Sequence, residues 1–258
     1  PRDIDLTDAY CRIITGPRRA GKTFLMYGKI QDLLSEGENI NRMLYINFED
    51  ERLLELDVTG LDLILESYKE LFTAKPYVFL DEIQNIPSWQ KFARRLADTG
   101  YNTMITGSNA EMLSGEMASS LGGRYMISEI DTLTFTEYLR FNGIKTDKSS
   151  VFSGQRFEIQ RHFNDYFWFG GFPELIRFQD KKEYLNTIFQ KIFLGDIIAR
   201  NNIRNPNALR LMVKKLAEST MDEVSFRRIR NILLSAGISV GTATLIDYTG
   251  YFMESFLL

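Results

Sequence analysis

Histidine and cysteine are almost missing from this chain, whose 258 residues include one of each, Cys11 and His162. A single cysteine excludes an internal disulfide framework and fits a reducing compartment, so a cytoplasmic protein is expected. A single histidine excludes a histidine-based zinc cluster or catalytic triad within one chain, and His162 itself reads as a loop residue. Long apolar runs are lacking too. The longest uncharged stretch, Asn231 to Ile246, is too short and too rich in Gly, Ser and Thr to cross a bilayer, so no membrane partner is expected. Arg12 interrupts the only apolar stretch near the start, which argues against a signal peptide, and Pro1 is not a natural initiator. No charge sign dominates. Lys and Arg number 31 against 34 Asp and Glu, a net charge of −3 that excludes a generally basic nucleic-acid coat.

What is present has ordinary globular composition, with 44% hydrophobic and 25% charged residues, so wholesale disorder and collagen-like repeats are excluded. At about 150 residues per domain, the length implies one large or two small domains. Up to about residue 130 short apolar runs alternate with longer mixed segments, the βαβα pattern of a parallel sheet covered by helices. The expected strands are Arg12–Thr15, Met43–Phe48, Tyr77–Leu80, Thr103–Thr106 and Tyr125–Ile130. Met26, Ile30, Leu33 and Leu34 recur at helical spacing before the stop signal Gly37. The polar segment Gly143 to Gly154 predicts a boundary, which gives a core over 1–143 and a helical lid over 155–205. Three helices are expected beyond it, Asn207–Ser219, Ser225–Ser235 and Val240–Glu254. The last two, joined near Gly237, suggest a helix-turn-helix or winged-helix segment over 206–258.

The strongest motif is Gly16-Pro17-Arg18-Arg19-Ala20-Gly21-Lys22-Thr23, which fits the phosphate-loop pattern G-x-x-x-x-G-K-[ST] between an expected strand and an expected helix. Its glycines let successive N–H groups turn toward phosphate oxygens, and the helix N-terminus adds its dipole. Lys22 reaches the β and γ phosphates of ATP, and the Thr23 hydroxyl is a ligand for Mg²⁺. Asp81-Glu82 follows the apolar run Tyr77–Leu80 and so stands at the carboxyl edge of a buried parallel strand, where α/β sheets bind ligands. Asp81 suits Mg²⁺, held through water, and Glu82 suits a general base. Ile105-Thr106-Gly107-Ser108-Asn109 ends another strand in polar residues. Here Thr106 or Asn109 is read as sensing the nucleotide, with Asn109 preferred, and Ser108 as a helix cap.

The ordered strings GPRRAGKT, FLDEIQNIPSW and ITGSNAEML, followed by GGRY, GGFPE and a helix-turn-helix, resemble a prokaryotic AAA-type ATPase family of the AAA+ class whose C-terminal region has unknown function. The resemblance covers nearly the whole chain. It implies an α/β P-loop NTPase fold, a doubly wound parallel sheet of five strands in the order 5-1-4-3-2, followed by an all-α lid. It also implies Walker A at Gly16–Thr23, Walker B at Asp81 and Glu82, and a sensor within 106–109. Arg124, just before the fifth strand, stands where the resemblance implies an arginine finger; a surface arginine on a glycine-flanked loop is the other reading. Gly171-Phe172-Pro173 resembles an element that sets Pro173 against the adenine; a plain turn is the other reading. Members of the family continue into a domain resembling restriction endonucleases, whereas this chain stops at Leu258, so a fragment or shortened member is expected and no nuclease activity is assigned.

Other features read more plainly. Met104, Met112, Met117 and Met126 are expected in the core. Tyr166-Phe167-Trp168-Phe169 is expected to be buried between helices rather than to stack on bases. Asp57-Val58-Thr59-Gly60 imitates a GTPase element, but no N-K-x-D occurs, which argues against GTP. From Lys181 to Lys215 eight basic residues face two acidic ones, a stripe suited to DNA phosphates; the helix after Gly237 carries no Lys or Arg to read bases. The expected function is therefore an ATP-binding and ATP-hydrolysing switch or motor of unknown target that turns ATP and water into ADP and phosphate, with a homo-oligomer and DNA as candidate partners. The alternatives are a DNA-binding regulator that holds ATP as a structural ligand and a small-molecule or nucleotide kinase.

Overall fold

The computed structural model describes residues 11–53, 55–57, 59–144, 155–219 and 223–258. Five strands, β1 (Cys11–Thr15), β2 (Met43–Asn47), β3 (Tyr77–Asp81), β4 (Thr103–Gly107) and β5 (Met126–Glu129), form one parallel sheet in the order β2-β3-β4-β1-β5. This is the implied 5-1-4-3-2 order read from the other edge, so the fold is that of a P-loop NTPase. The three middle strands are buried along nearly their whole length because both of their faces are covered, and in β3 Val78, Phe79 and Leu80 are apolar without alternation. Side chains at successive positions point to opposite sides. Ile13, Val78, Leu80 and Ile105 pack on one side with Trp89, Phe92 and Leu96, while Ile14, Phe79 and Met104 pack on the other with Met26 and Leu33.

The first of these layers contains α2 (Gly60–Leu71), α3 (Trp89–Asp98) and α4 (Gly115–Leu121); the second contains α1 (Lys22–Ser35). Met104, Met112 and Met117 are buried as expected. Met126 is not: it opens the edge strand β5 and is 55% exposed. After the sheet come α5 (Phe135–Phe141), started by a capping box of Thr134 and Glu137, and α6 (Arg156–Phe169). Residues 145–154, which hold most of the expected Gly143–Gly154 boundary, lie outside the described residues.

Contacts divide the chain into two compact units between Leu185 and Asn186, inside α7 (Lys181–Gln190). The stretch expected to form one helical lid is thus shared, with α6 in the first unit. His162 lies within α6, not in a loop, with its ring 6.0 Å from that of Tyr138. The Tyr166–Phe169 expectation fails for half of the run: Phe167 and Trp168 are 69% and 74% exposed, while Tyr166 and Phe169 are half-buried, Tyr166 donating to the Leu133 carbonyl at 2.9 Å.

In the second unit a π-helix (Lys191–Ala199) precedes α8 (Pro206–Glu218), α9 (Phe226–Ser235) and α10 (Thr242–Glu254). The side chains of Asn205 and Ser225 cap α8 and α9. Gly237, at φ 76°, closes α9. α9 packs against both α8 and α10, with Leu209, Met212, Leu233 and Phe252 buried. Among the described residues of this unit none is in a strand, so the three helices are seen and a wing is not.

Candidate nucleotide site

The segment after β1 must turn back sharply to start α1, and its glycines make that possible. Gly16 sits at φ 152°, and a side chain there would meet the Ile130 carbonyl oxygen at 2.0 Å. Gly21, at φ 99°, caps α1 in the left-handed region that glycine adopts without strain. Between them Ala20 N–H donates to the Pro17 carbonyl at 3.2 Å. Lys22 is 3% exposed, and its ammonium folds back inside the loop, donating to the Gly16 and Pro17 carbonyls at 3.1 and 3.0 Å. A buried ammonium held by carbonyls of its own loop is a cation positioned for an anionic ligand.

The two carboxylates come from the carboxyl end of β3. Asp81 is fixed by three hydroxyls. Thr23 donates to it at 2.9 Å, Tyr45 of β2 donates at 2.9 Å, and Thr106 of β4 donates to its other oxygen. Burial, the Tyr27 hydroxyl and the Asp81 charge all push the Tyr45 phenol well above its ordinary value, so it remains a donor. Glu82 turns off the strand at φ 54° and ψ 44°, a conformation an ordinary residue keeps only when its surroundings hold it. Its N–H donates to the Thr106 hydroxyl at 3.1 Å. Its carboxylate accepts from Gln84 at 2.6 Å and Ser108 at 2.8 Å, with the Lys22 ammonium 3.6 Å away. Burial pushes the Glu82 carboxyl up. The Lys22 ammonium, the Gln84 and Ser108 donors and the Arg18 charge together outweigh it, leaving the carboxyl below its ordinary value. Burial likewise lowers the Lys22 ammonium, against the raising effect of Glu82.

The Ser108 and Asn109 side chains lie the other way round from the expectation. Ser108 reaches Glu82, whereas the Asn109 side chain accepts from the Glu111 N–H at 2.8 Å and caps the 3-10 turn Ala110–Leu113. Asn109 therefore does not join the carboxylate cluster through its side chain; Thr106 and Ser108 do. Gln84 and Tyr45 are the members that sequence reasoning missed. The Gln84 carbonyl oxygen is buried with no partner among the described residues, and Gly107 leaves it room, since a side chain there would approach to 2.7 Å.

Arg124 is placed elsewhere. Strand β5 runs parallel to β1 with Glu129 opposite Thr15, so the phosphate loop leaves at the carboxyl edge and Arg124 lies at the amino edge. Five residues of strand separate those edges by about 16 Å. There Arg124 pairs with Asp98 of α3 and donates to the Gly122 carbonyl at 3.1 Å. The expected finger is thus removed from this chain's own site by the direction of its strand. Pro173, by contrast, is brought to the loop. A Cβ at Gly21 would touch the proline ring at 3.8 Å, and Gly171 packs directly on Leu133, whose N–H donates to the Gly171 carbonyl at 2.7 Å. Next to it Glu174 accepts from Arg19 at 2.7 Å and from Tyr184 at 2.8 Å.

The oxygen donors suit Mg²⁺. One hydroxyl and one carboxylate converge, and no group of three or more His, Cys, Asp or Glu side chains collects anywhere among the described residues. Mg²⁺ is bound in this way, by one or two protein oxygens together with phosphates and water. The Asp57 element is unrelated to the site: its carboxylate accepts from Thr59 and Gly60 at 2.9 and 3.0 Å and so begins α2.

A parallel sheet carrying this loop and these carboxylates at its carboxyl edge defines the class, a P-loop nucleotide-binding protein. The sequence matches the family model of the AAA domain over residues 9–139 and that of a domain of unknown function over 160–258. The chain belongs to the AAA domain family. It is 33% identical over 99% of its length to an uncharacterized protein of Methanocaldococcus jannaschii and 30% identical over 96% to one of Haemophilus influenzae. It spans 57% and 61% of the length of these two relatives. No helix among the described residues is long and apolar enough to cross a membrane.

Proposed function

We propose that this chain binds ATP with Mg²⁺ and hydrolyses it to ADP and phosphate, serving as a nucleotide-driven switch for a target outside the site. The observation that carries this reading is a pair of juxtapositions at one sheet edge: Lys22 beside Glu82 at 3.6 Å and Thr23 on Asp81 at 2.9 Å. Backbone N–H groups of the loop Gly16–Thr23, at every position but Pro17, cradle the phosphates, with Pro17, Arg18, Arg19 and Ala20 forming its turn. Thr23 and Asp81 would hold Mg²⁺, which neutralises phosphate charge when bound. Pro173 sets the position of the base. Glu82, kept ionised, takes the proton of the attacking water. The water oxygen bonds to the γ-phosphorus as the bond to the β,γ-bridging oxygen breaks, and ADP leaves. A kinase reading has less support, because Glu82 beside Asp81 is a carboxylate suited to activating water.

The reading is tested by measuring ATP turnover and nucleotide affinity, with and without duplex DNA. Steady turnover without DNA supports it; nucleotide binding without turnover favours a DNA-binding regulator that holds ATP structurally. One observation speaks for that second reading. α9 exposes Arg227, Arg228 and Asn231 along a surface groove shared with Ser225, Ile232 and Ser235. Arg and Asn are side chains that read base edges.

A further inference from the structure

Phosphoryl transfer moves negative charge onto the bridging and equatorial oxygens, and a lysine with Mg²⁺ commonly needs an arginine beside them. Three arginines border this site in sequence, and the fold separates them. Arg124 is at the opposite sheet edge on Asp98, and Arg19 is drawn aside to Glu174. Arg18 is different. Its guanidinium meets Glu49 at 2.6 Å, and its side chain is only 14% exposed. Glu49 stands in the turn just after β2, where its N–H donates to the Asn47 side chain at 2.8 Å. The phosphate loop leaves β1, and β1 and β2 lie three strand positions apart in the sheet. At about 4.8 Å per strand that is about 14 Å, and the link from Arg18 to Glu49 crosses the carboxyl ends of β4 and β3 on the way. Asp81 and Glu82 stand at the end of β3.

We infer that Arg18 is this chain's own arginine finger: a catalytic residue of the phosphate loop itself, parked on Glu49 and turning onto the γ-phosphate as charge develops there. The inference rests on the ATP-hydrolysing reading above. An arginine in the same chain makes the site complete without a neighbour.

The test compares wild type, Arg18→Ala, Arg18→Lys and Glu49→Gln. Three quantities are read: turnover, affinity for ADP, and the tightening of ADP binding by aluminium fluoride, which imitates the transferring phosphoryl group. Arg18→Ala is expected to lose turnover by about 100-fold or more, with ADP affinity kept within about threefold and the fluoride tightening abolished. Arg18→Lys should recover only a small part, because a point charge cannot supply the planar fork. Glu49→Gln removes the carboxylate charge from that ion pair and should keep both turnover and tightening within about threefold of wild type. If Glu49→Gln fails as Arg18→Ala does, the ion pair is a structural tie and the inference is overturned. It is also overturned if Arg18→Ala turns over within about threefold of an active wild type, a result that leaves the ATPase reading standing. A wild type with neither turnover nor tightening defeats both.

Discussion

Removing the Lys22 ammonium leaves Glu82 buried against neutral donors and the Arg18 charge alone. Lys22→Ala also deletes a charge-assisted contact to phosphate worth roughly 1.5–3 kcal/mol, so ATP affinity should fall at least about tenfold by titration calorimetry. Wild-type affinity in that variant would mean the loop is only a strand-to-helix turn. Glu82→Gln keeps the shape and both hydrogen-bond partners within reach but cannot accept a proton. Nucleotide binding should survive while turnover drops by about 100-fold or more, measured as phosphate release. The carboxyl also has a stability signature. Its folded value lies below the ordinary glutamate value, so its contribution is fully present above that value and is lost as pH falls through the folded one. The stability difference between wild type and Glu82→Gln should therefore be constant from neutral pH down to the ordinary glutamate range and change only below it.

At the scale of elements, legibility tracked burial. Val78, Phe79 and Leu80 announce a strand because both faces of β3 are covered, and the glycines of the loop announce a turn that only they can make. Polar residues just past a strand's end are harder to read. Beyond β4 a single residue decides which way a side chain points, and so Ser108 faces Glu82 while Asn109 faces its own turn. No spacing rule separates a polar side chain that caps a turn from one that reaches a site, since both are short and hydrogen-bonding. The aromatic run Tyr166–Phe169 misleads for a related reason. Four consecutive residues of a helix point around its whole circumference, so one packed face cannot bury them all. The difference between Ser108 and Asn109 is open to test. Ser108→Ala should cost turnover several-fold, for a hydrogen bond of about 1 kcal/mol to the reacting carboxylate, with thermal stability little changed. Asn109→Ala should do the reverse, losing about 1 kcal/mol with its cap, seen as a melting point lowered by about 2–4 °C, and leaving turnover within about threefold. Equal losses of turnover in both variants would restore Asn109 to the site.

For the molecule as a whole, the arginine that resemblance singled out and the one that the fold brings forward predict different behaviour on association. A finger supplied by a neighbour acts only in an assembly, so turnover per subunit would rise with protein concentration and Arg124→Ala would abolish the rise. A finger carried on the phosphate loop needs no neighbour. Strand direction sets Arg124 about 16 Å from the loop of its own chain and ties it to Asp98, so Arg124 would have to serve a neighbour's site, whereas Arg18 is part of its own loop. Sequence alone could not show this: order along the chain tells that Arg124 precedes a strand, and only the parallel register tells which sheet edge that is. Turnover per subunit should accordingly be flat across a wide range of protein concentration, measured by phosphate release alongside sedimentation. Arg124→Ala should leave it within about twofold of wild type. Its cost should appear instead as a small loss of stability, since the Arg124 and Asp98 side chains are 38% and 42% exposed and such pairs are worth about 0–1 kcal/mol. A steep rise of turnover with concentration that disappears in Arg124→Ala would show that the amino edge of one sheet meets the phosphate loop of another chain, and Arg18 would then be one cation of two.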